Sequence, residues 1–177
     1  SIYSNSTASS CIECPEGTYS SETRKYCIQC SKGYFSKNLG SSECIKCPAG
    51  YISNITGANS CAICPSGTYS FHTRESCIEC TEGYYSNKEG LSECIKCPPG
   101  YISNIIGATS CKICPVGTYE NCNKECIPCL EGYYSNITGS TKCIECPTGY
   151  ISNVSSATSC TICPVGTYEY YTECKYC

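Results

Sequence analysis

Apolar residues in this chain come in ones and twos. Ile45 stands alone between cysteines, Tyr51 and Ile52 form a pair, and Ile63 stands alone again before Cys64. Turn residues fill the spaces: Pro48-Ala49-Gly50 before the Tyr51 pair, Ser53-Asn54 after it, and then Gly57. Proline presets φ and glycine accepts a positive φ, so Pro48 and Gly50 predict a tight turn. Tyr51 and Ile52 predict a short extended run, after which the chain returns through a second turn to the next cysteine. Gly40, Gly90, Gly107 and Gly139 repeat that second turn. No stretch has the spacing of an amphipathic helix. The predicted element is a small two-strand loop, out and back.

That loop is stated many times. CIKCPAGYISN from Cys44 returns as CIKCPPGYISN from Cys94 and as CIECPTGYISN from Cys143. Eleven Cys-x-x-Cys pairs follow one another at steps of 16, 17, 17, 16, 17, 17, 15, 17, 17 and 14 residues. The unit is therefore about 17 residues, and three units make a super-repeat of about 50. First-type units carry Gly-Thr-Tyr, second-type units Gly-Tyr-Phe or Gly-Tyr-Tyr, third-type units Gly-Tyr-Ile-Ser-Asn; only the first type varies in length. This divides the chain into a partial repeat over 1–10, super-repeats over 11–60, 61–110 and 111–159, and a partial fourth over 160–177. Tyr3-Ser4-Asn5 echoes Ile52-Ser53-Asn54, and the last pair ends at Cys177. The expectation is a piece of a longer mature array, with targeting segments removed or outside it. The expected fold class is small and disulfide-rich: an elongated, solenoid-like rod of two-strand loops, irregular or β, essentially without helix. Each loop should contact mainly its neighbours.

Composition says what holds such a chain together. Of 177 residues 23 are Cys, while Leu and Val occur three times each, Phe twice, and Trp and Met never. That apolar content cannot build the core of an ordinary domain of this length, so cross-links must replace burial as the main source of order. A bridge closing a loop of about 15 residues contributes roughly 3 kcal/mol in the loop-entropy model. The net charge is −3, from 12 basic and 15 acidic residues scattered singly. Without a basic stripe, nucleic acid and anionic membrane are poor partners. Every acid is Glu, which argues against EF-hand calcium loops. No apolar run approaches a membrane span.

The Cys-x-x-Cys pairs admit three chemistries. Paired knuckles could hold zinc through four thiolates, but Pro-x-Gly replaces the usual glycine-rich knuckle. A thioredoxin-like redox centre needs one activated pair on a βαβ frame, not eleven on loops. Four sequons, at Asn5, Asn54, Asn136 and Asn153, point to an oxidising lumen in which thiols pair. Disulfides are expected and no metal. Two connectivities fit. In a ladder, the second Cys of each pair joins the first of the next: Cys14–Cys27, Cys30–Cys44, Cys47–Cys61, Cys64–Cys77, Cys80–Cys94, Cys97–Cys111, Cys114–Cys126, Cys129–Cys143, Cys146–Cys160 and Cys163–Cys174. In a crosswise module, Cys11 joins Cys27 and Cys14 joins Cys30, and so on. The ladder treats every unit alike and leaves Cys11 and Cys177 over at the two ends, so it is preferred; the crosswise module stays open. Cys122 is the odd cysteine, either bridging two chains or replacing Cys126 as the partner of Cys114.

Other candidates are fewer. Asn5, Asn54 and Asn153 share one place in the third-type unit, so N-linked glycans there would recur along the array. Asn104 shares it too, but Ile106 destroys the sequon. The Tyr after each Gly, with the Ile of each Cys-Ile-x-Cys, is expected to cover the bridges. Second tyrosines such as Tyr85, Tyr134 and Tyr171 are expected to face outward as contact candidates. His72 is the sole histidine and is read as a surface residue, with no catalytic set around it.

The runs Cys14-Pro15-Glu16-Gly17-Thr18-Tyr19, Cys64 to Tyr69, Cys114 to Tyr119 and Cys163 to Tyr168 resemble cysteine-rich repeats of the ephrin-receptor-like kind. Single-bridge modules of tumour-necrosis-factor-receptor ectodomains have a similar opening. Long CxxCPxGTYS arrays also resemble surface proteins of ciliates and other protists. In the receptor modules the bridge runs from the Cys before Pro-x-Gly to the next Cys, which the resemblance carries over as the ladder. The resemblance implies an extracellular or cell-surface, non-enzymatic array. Departures are the strict cadence, the missing Asp and the absence of an irregular ligand-facing loop.

The function expected is that of an extracellular structural glycoprotein, a laddered rod forming a filament, coat or stalk by self-assembly. The alternative is a receptor or adhesion ectodomain that binds a protein partner. No cofactor is expected beyond covalent N-linked glycans.

Overall fold

The computed structural model describes residues 2–4, 11–20, 26–121 and 124–177. Among them there is no helix, and the strands pair into eleven two-stranded sheets. The pairing is antiparallel and joins one turn of the repeat to the next cysteine pair, as Tyr51–Ile52 with Ala62–Ile63. The turn that opens each loop is local. In first-type loops the Thr hydroxyl donates back to the proline carbonyl, from Thr18 to Pro15 at 2.6 Å and from Thr68 to Pro65 at 2.7 Å. This bond explains why Gly-Thr-Tyr marks that type.

The chain forms two compact units. One comprises Ser1–Cys80, Ser86–Ile95 and Gly107–Thr109; the other comprises Thr81–Tyr85, Lys96–Ile106 and Ser110–Cys177. Each contains five disulfides. In the first they are Cys14–Cys27, Cys30–Cys44, Cys47–Cys61, Cys64–Cys77 and Cys80–Cys94. In the second they are Cys97–Cys111, Cys114–Cys126, Cys129–Cys143, Cys146–Cys160 and Cys163–Cys174. The second Cys of each pair thus joins the first Cys of the next, so these sulfurs are not thiolates open to a metal.

Within the first unit successive loops are joined by backbone bonds. Gly17, Gly33, Gly50 and Gly67 donate to the carbonyls of Ser36, Ser53, Ser70 and Ser86 at 2.7–2.8 Å. The same serines donate onward: Ser36 N to Ala58 O at 3.0 Å and Ser53 N to Arg74 O at 2.9 Å. The second turn reaches back, with Gly57 N donating to Cys30 O at 2.7 Å. Contacts go further than the next loop. A Cβ on Gly50 (φ 81°) would run into the carbonyl of Gly90, two loops on, and one on Gly17 would meet that of Gly57. Beside the bonds to the next loop, glycine backbones lie close enough for a second layer to touch.

The second unit uses the same bonds with two substitutions. Gly83, Gly117 and Gly132 donate to the carbonyls of Ser103, Ser135 and Ser152. Gly100 donates instead to Glu120 Oε2 at 2.7 Å, and Gly149 to Glu169 Oε2 at 2.9 Å. Both glutamates sit in the two shortest first-type loops, whose strands Thr118–Glu120 and Thr167–Tyr170 are longer than the two-residue norm. There a carboxylate supplies the acceptor that a serine carbonyl supplies elsewhere.

The core is made of small residues. Cys14, Cys30, Cys47, Cys64, Cys80, Cys114 and Cys129 are fully buried, and the serines after each aromatic strand are buried beside them. Several of their hydroxyls are spent locally, as Ser53 Oγ to Ile55 O and Ser86 Oγ to Lys88 O, both at 3.0 Å, while Ser70 Oγ reaches Tyr51 O at 3.3 Å. Ala58, Ala108 and Ala157 complete the layer.

Candidate interaction surface

The large side chains lie outside this sulfur-and-serine core. In hairpin after hairpin an aromatic residue stands opposite an isoleucine: Tyr19 with Ile28, Phe35 with Ile45, Tyr51 with Ile63, Tyr119 with Ile127. Such cross-strand pairs contribute roughly 0.2–1 kcal/mol each. Where the strand reads Tyr-Ile, the following pair reads Cys-x-Ile-Cys, as at Cys61, Cys111 and Cys160. Elsewhere it reads Cys-Ile-x-Cys, except at the last pair, Cys174-Lys175-Tyr176-Cys177. The isoleucine moves one place because the aromatic has moved one place, and both must remain on one face of the ribbon. This compensation is a signal of strand register carried by the sequence itself.

Two expectations about these side chains need correcting. The isoleucines do not seal the bridges: Ile45, Ile63, Ile95 and Ile144 are exposed. Tyr85 and Tyr134 are half-buried, because the second strand position faces the isoleucine; the first tyrosines, Tyr34, Tyr84 and Tyr133, are the exposed ones. Tyr171 does face outward.

The remaining candidates can be placed. Asn54, Asn136 and Asn153 are all exposed, each next to a buried serine; Asn5 lies outside the described residues. Cys122 also lies outside them, but Cys114 is bonded to Cys126, which removes the arrangement in which Cys122 takes the place of Cys126. Cys177 is free and exposed. The side chain of Cys11 is not among those described. His72 is exposed and meets Phe71 edge-on, with ring centroids 4.3 Å apart.

Shallow clefts lie between neighbouring hairpins of one unit. In the first unit Tyr19, Ser31, Tyr34, Glu43 and Cys44 line one of about 440 Å³. Another of about 450 Å³ is lined by Tyr69, Phe71, His72, Thr73, Ile78, Ser92 and Glu93. In the second unit Tyr119, Leu130, Tyr133, Lys142 and Cys143 line one of about 310 Å³. The clefts at Tyr34 and Tyr133 hold matching places in the first and third super-repeats, whereas the one at Phe71 shares only the Tyr69 and Glu93 places with them. Among the described residues no helix is long and apolar enough to cross a membrane.

Comparison with known proteins bears on this geometry. No curated protein matches the chain. Three successive stretches, residues 17–64, 67–114 and 117–159, match the family model described as tyrosine-protein kinase ephrin type A/B receptor-like. Each stretch starts at a first-type glycine and runs through three loops. Modules of this family are cysteine-rich, extracellular and non-catalytic, and together with the ten disulfides they point to an extracellular location. With three tandem matches over most of its length, the chain belongs to the ephrin-receptor-like cysteine-rich repeat family.

Proposed function

We propose that this chain is part of an extracellular structural glycoprotein, a disulfide-laddered rod that serves as filament, surface coat or stalk. The observation that supports the reading is sameness at the junctions. From Gly17–Ser36 to Gly132–Ser152 one glycine-to-serine bond recurs, replaced only where Glu120 and Glu169 supply an equivalent acceptor. Repetition of this kind suits mechanical and packing roles, in which each repeat adds its own stability and its interface with the next. Super-repeats 11–60, 61–110 and 111–159 are the periodic elements of the rod, bringing like faces round for lateral or end-to-end contact. Catalysis, cofactors, nucleic acid and membrane insertion form no part of this reading. Electron microscopy of native material is expected to show fibres or an ordered coat. Isolated monomers with saturable binding to a partner would overturn the proposal.

N-linked glycans at Asn5, Asn54, Asn136 and Asn153 belong to the same proposal. The exposure of the three described asparagines supports it, since each stands in a turn accessible to a transferase. Amidase release of N-glycans should reduce the mass of the secreted chain and convert the occupied asparagines to aspartate. An unchanged mass would remove the glycans from the reading.

A receptor or adhesion ectodomain is the second reading, favoured by one departure from regularity. The sole histidine stands here beside Phe71, where the last first-type loop has the edge-on pair Tyr170-Tyr171, and Phe71 and His72 both line a cleft of about 450 Å³. Saturable binding lost on Phe71→Ala would establish it.

A further inference from the structure

One surface changes its charge from one super-repeat to another while its shape stays. At Tyr34, in the second-type hairpin of the first super-repeat, three exposed charges surround the ring: Lys32, Glu43 and Lys46. Tyr34 lies directly opposite Lys46 in the strand register, and Glu43 lines the cleft beside it. At Tyr133, the same place in the third super-repeat, the three positions hold Glu131, Lys142 and Glu145. Tyr133 lies opposite Glu145, and Lys142 lines the corresponding cleft. All three signs are inverted, and the tyrosines are 37% and 41% exposed, so the centre of each patch presents a similar ring. The second super-repeat has a mixture at these places, Glu82, Glu93 and Lys96.

A second observation says what the acidic version would take. A cleft of about 310 Å³ at Gly132 is walled by Glu131, Tyr133, Glu145, Tyr150, Glu169 and Tyr171, with no basic side chain among its lining residues. At the matching Gly83 the chain supplies a lysine of its own: Lys124 lies over the glycine, its Nζ 2.8 Å from where a Cβ would be. Over Gly132 there is only a methyl of Thr172, at 4.0 Å. The third super-repeat therefore has carboxylates lining a cleft at Gly132, where the second has a lysine over its glycine. Carboxylates among tyrosine faces attract an ammonium group by charge and by the ring quadrupole.

We propose that the Lys32–Tyr34–Lys46 patch of one copy docks on the Glu131–Tyr133–Glu145 patch of a second copy, lysines entering the acidic cleft. This rests on the filament reading above and names its contact. The two patches sit two super-repeats apart on one chain, so the contact is heterologous: each copy offers a basic patch to one neighbour and an acidic patch to another. Heterologous contacts that do not close into a ring build open filaments. Glu43 opposite Lys142 adds a third pair of matching sign. Exposed ion pairs are individually weak and salt-screened, so the association should be salt-dependent and rely on repetition.

The test is sedimentation velocity of the whole chain at low and high salt, with four sequences. Wild type should self-associate at low salt and dissociate at high salt. Lys32→Glu with Lys46→Glu, and separately Glu131→Lys with Glu145→Lys, should each weaken association by about tenfold or more, since like charges then face one another. Combining all four substitutions should restore it, which a folding defect could not do. Wild-type association untouched by either reversal would overturn this contact and leave the filament reading standing. Loss with the acidic-patch variant alone would assign the cleft to some other basic surface and overturn the pairing with a second copy. A wild-type chain monomeric at both salts would also overturn the contact, and imaging of native material would then decide the filament reading independently.

Discussion

Gly50 and Gly149 occupy the same place in the repeat, after Pro-x and before Tyr-Ile, with φ of 81° and 82°. Their surroundings differ. Gly50 donates to the Ser70 carbonyl and backs onto the carbonyl of Gly90. Gly149 donates to the Glu169 carboxylate, and nothing lies within 4 Å of where its Cβ would be. The turn is thus set by its own few residues, while the close approach is set by residues about forty positions on. One residue type serves two physical purposes, and only one of them can be read locally.

Alanine at the two sites separates those purposes and should give the largest effect. Gly149→Ala meets only the backbone cost of a left-handed alanine, about 1–2 kcal/mol. Gly50→Ala adds a collision with backbone that cannot swing aside, and should cost about 4 kcal/mol or more. Thermal unfolding should show the gap as a clearly larger fall in Tm for Gly50→Ala. Equal losses at both sites would mean that the second-layer contact carries no stability.

Removing a bridge comes next. Replacing Cys47 and Cys61 by alanine should cost about 3 kcal/mol by the loop-entropy model. Because loops are joined mainly to near neighbours, hydrogen exchange should rise in loops 30–44 and 64–77 far more than beyond 97. A uniform rise along the chain would show longer-range cooperativity than the bonding pattern implies.

The junction acceptors give a smaller and more specific effect. Glu120→Ala leaves the Gly100 N–H without its acceptor, a loss of about 1–3 kcal/mol. Ser70→Ala removes only the hydroxyl bond to Tyr51 O, at 3.3 Å, and keeps the carbonyl that Gly50 uses, costing about 1 kcal/mol. Amide exchange should therefore accelerate at Gly100 in the first variant and stay slow at Gly50 in the second. Fast exchange at Gly50 after Ser70→Ala would contradict the backbone assignment. Smallest of all, Ile45→Thr opposite Phe35 should cost about 0.5 kcal/mol, as an exposed cross-strand pair. A cost of several kcal/mol there would restore isoleucine as a core residue.

Much of this architecture was legible in the chain itself. Pro48-Ala49-Gly50 announces a turn, the spacing from Cys47 to Cys61 announces a short loop, and the recurrence announces an array. Order after glycine suggests that Tyr85 and Tyr134 face outward, yet both are half-buried. What decides their exposure is which strand position faces the isoleucine of the returning strand, and that depends on register. The serines were read as strand-ending turn residues. Their burial follows from the close stacking of loops, where only a small side chain that satisfies its own hydroxyl fits beside the disulfide.

By itself the sequence determined the local unit: its turns, its two strands, its dependence on disulfides and its family. These follow from short-range sterics and from composition, which leave a chain poor in apolar bulk few alternatives. Tertiary structure decided what fills the core, which tyrosines face water, where Gly50 must stay glycine, and that Glu120 and Glu169 replace a backbone acceptor. Those depend on residues twenty and forty positions apart being brought within a few ångströms. The tyrosine-centred patches at Tyr34 and Tyr133 belong to both: the inverted charges stand in the sequence, but only the strand pairing and the open floor at Gly132 gather them into surfaces.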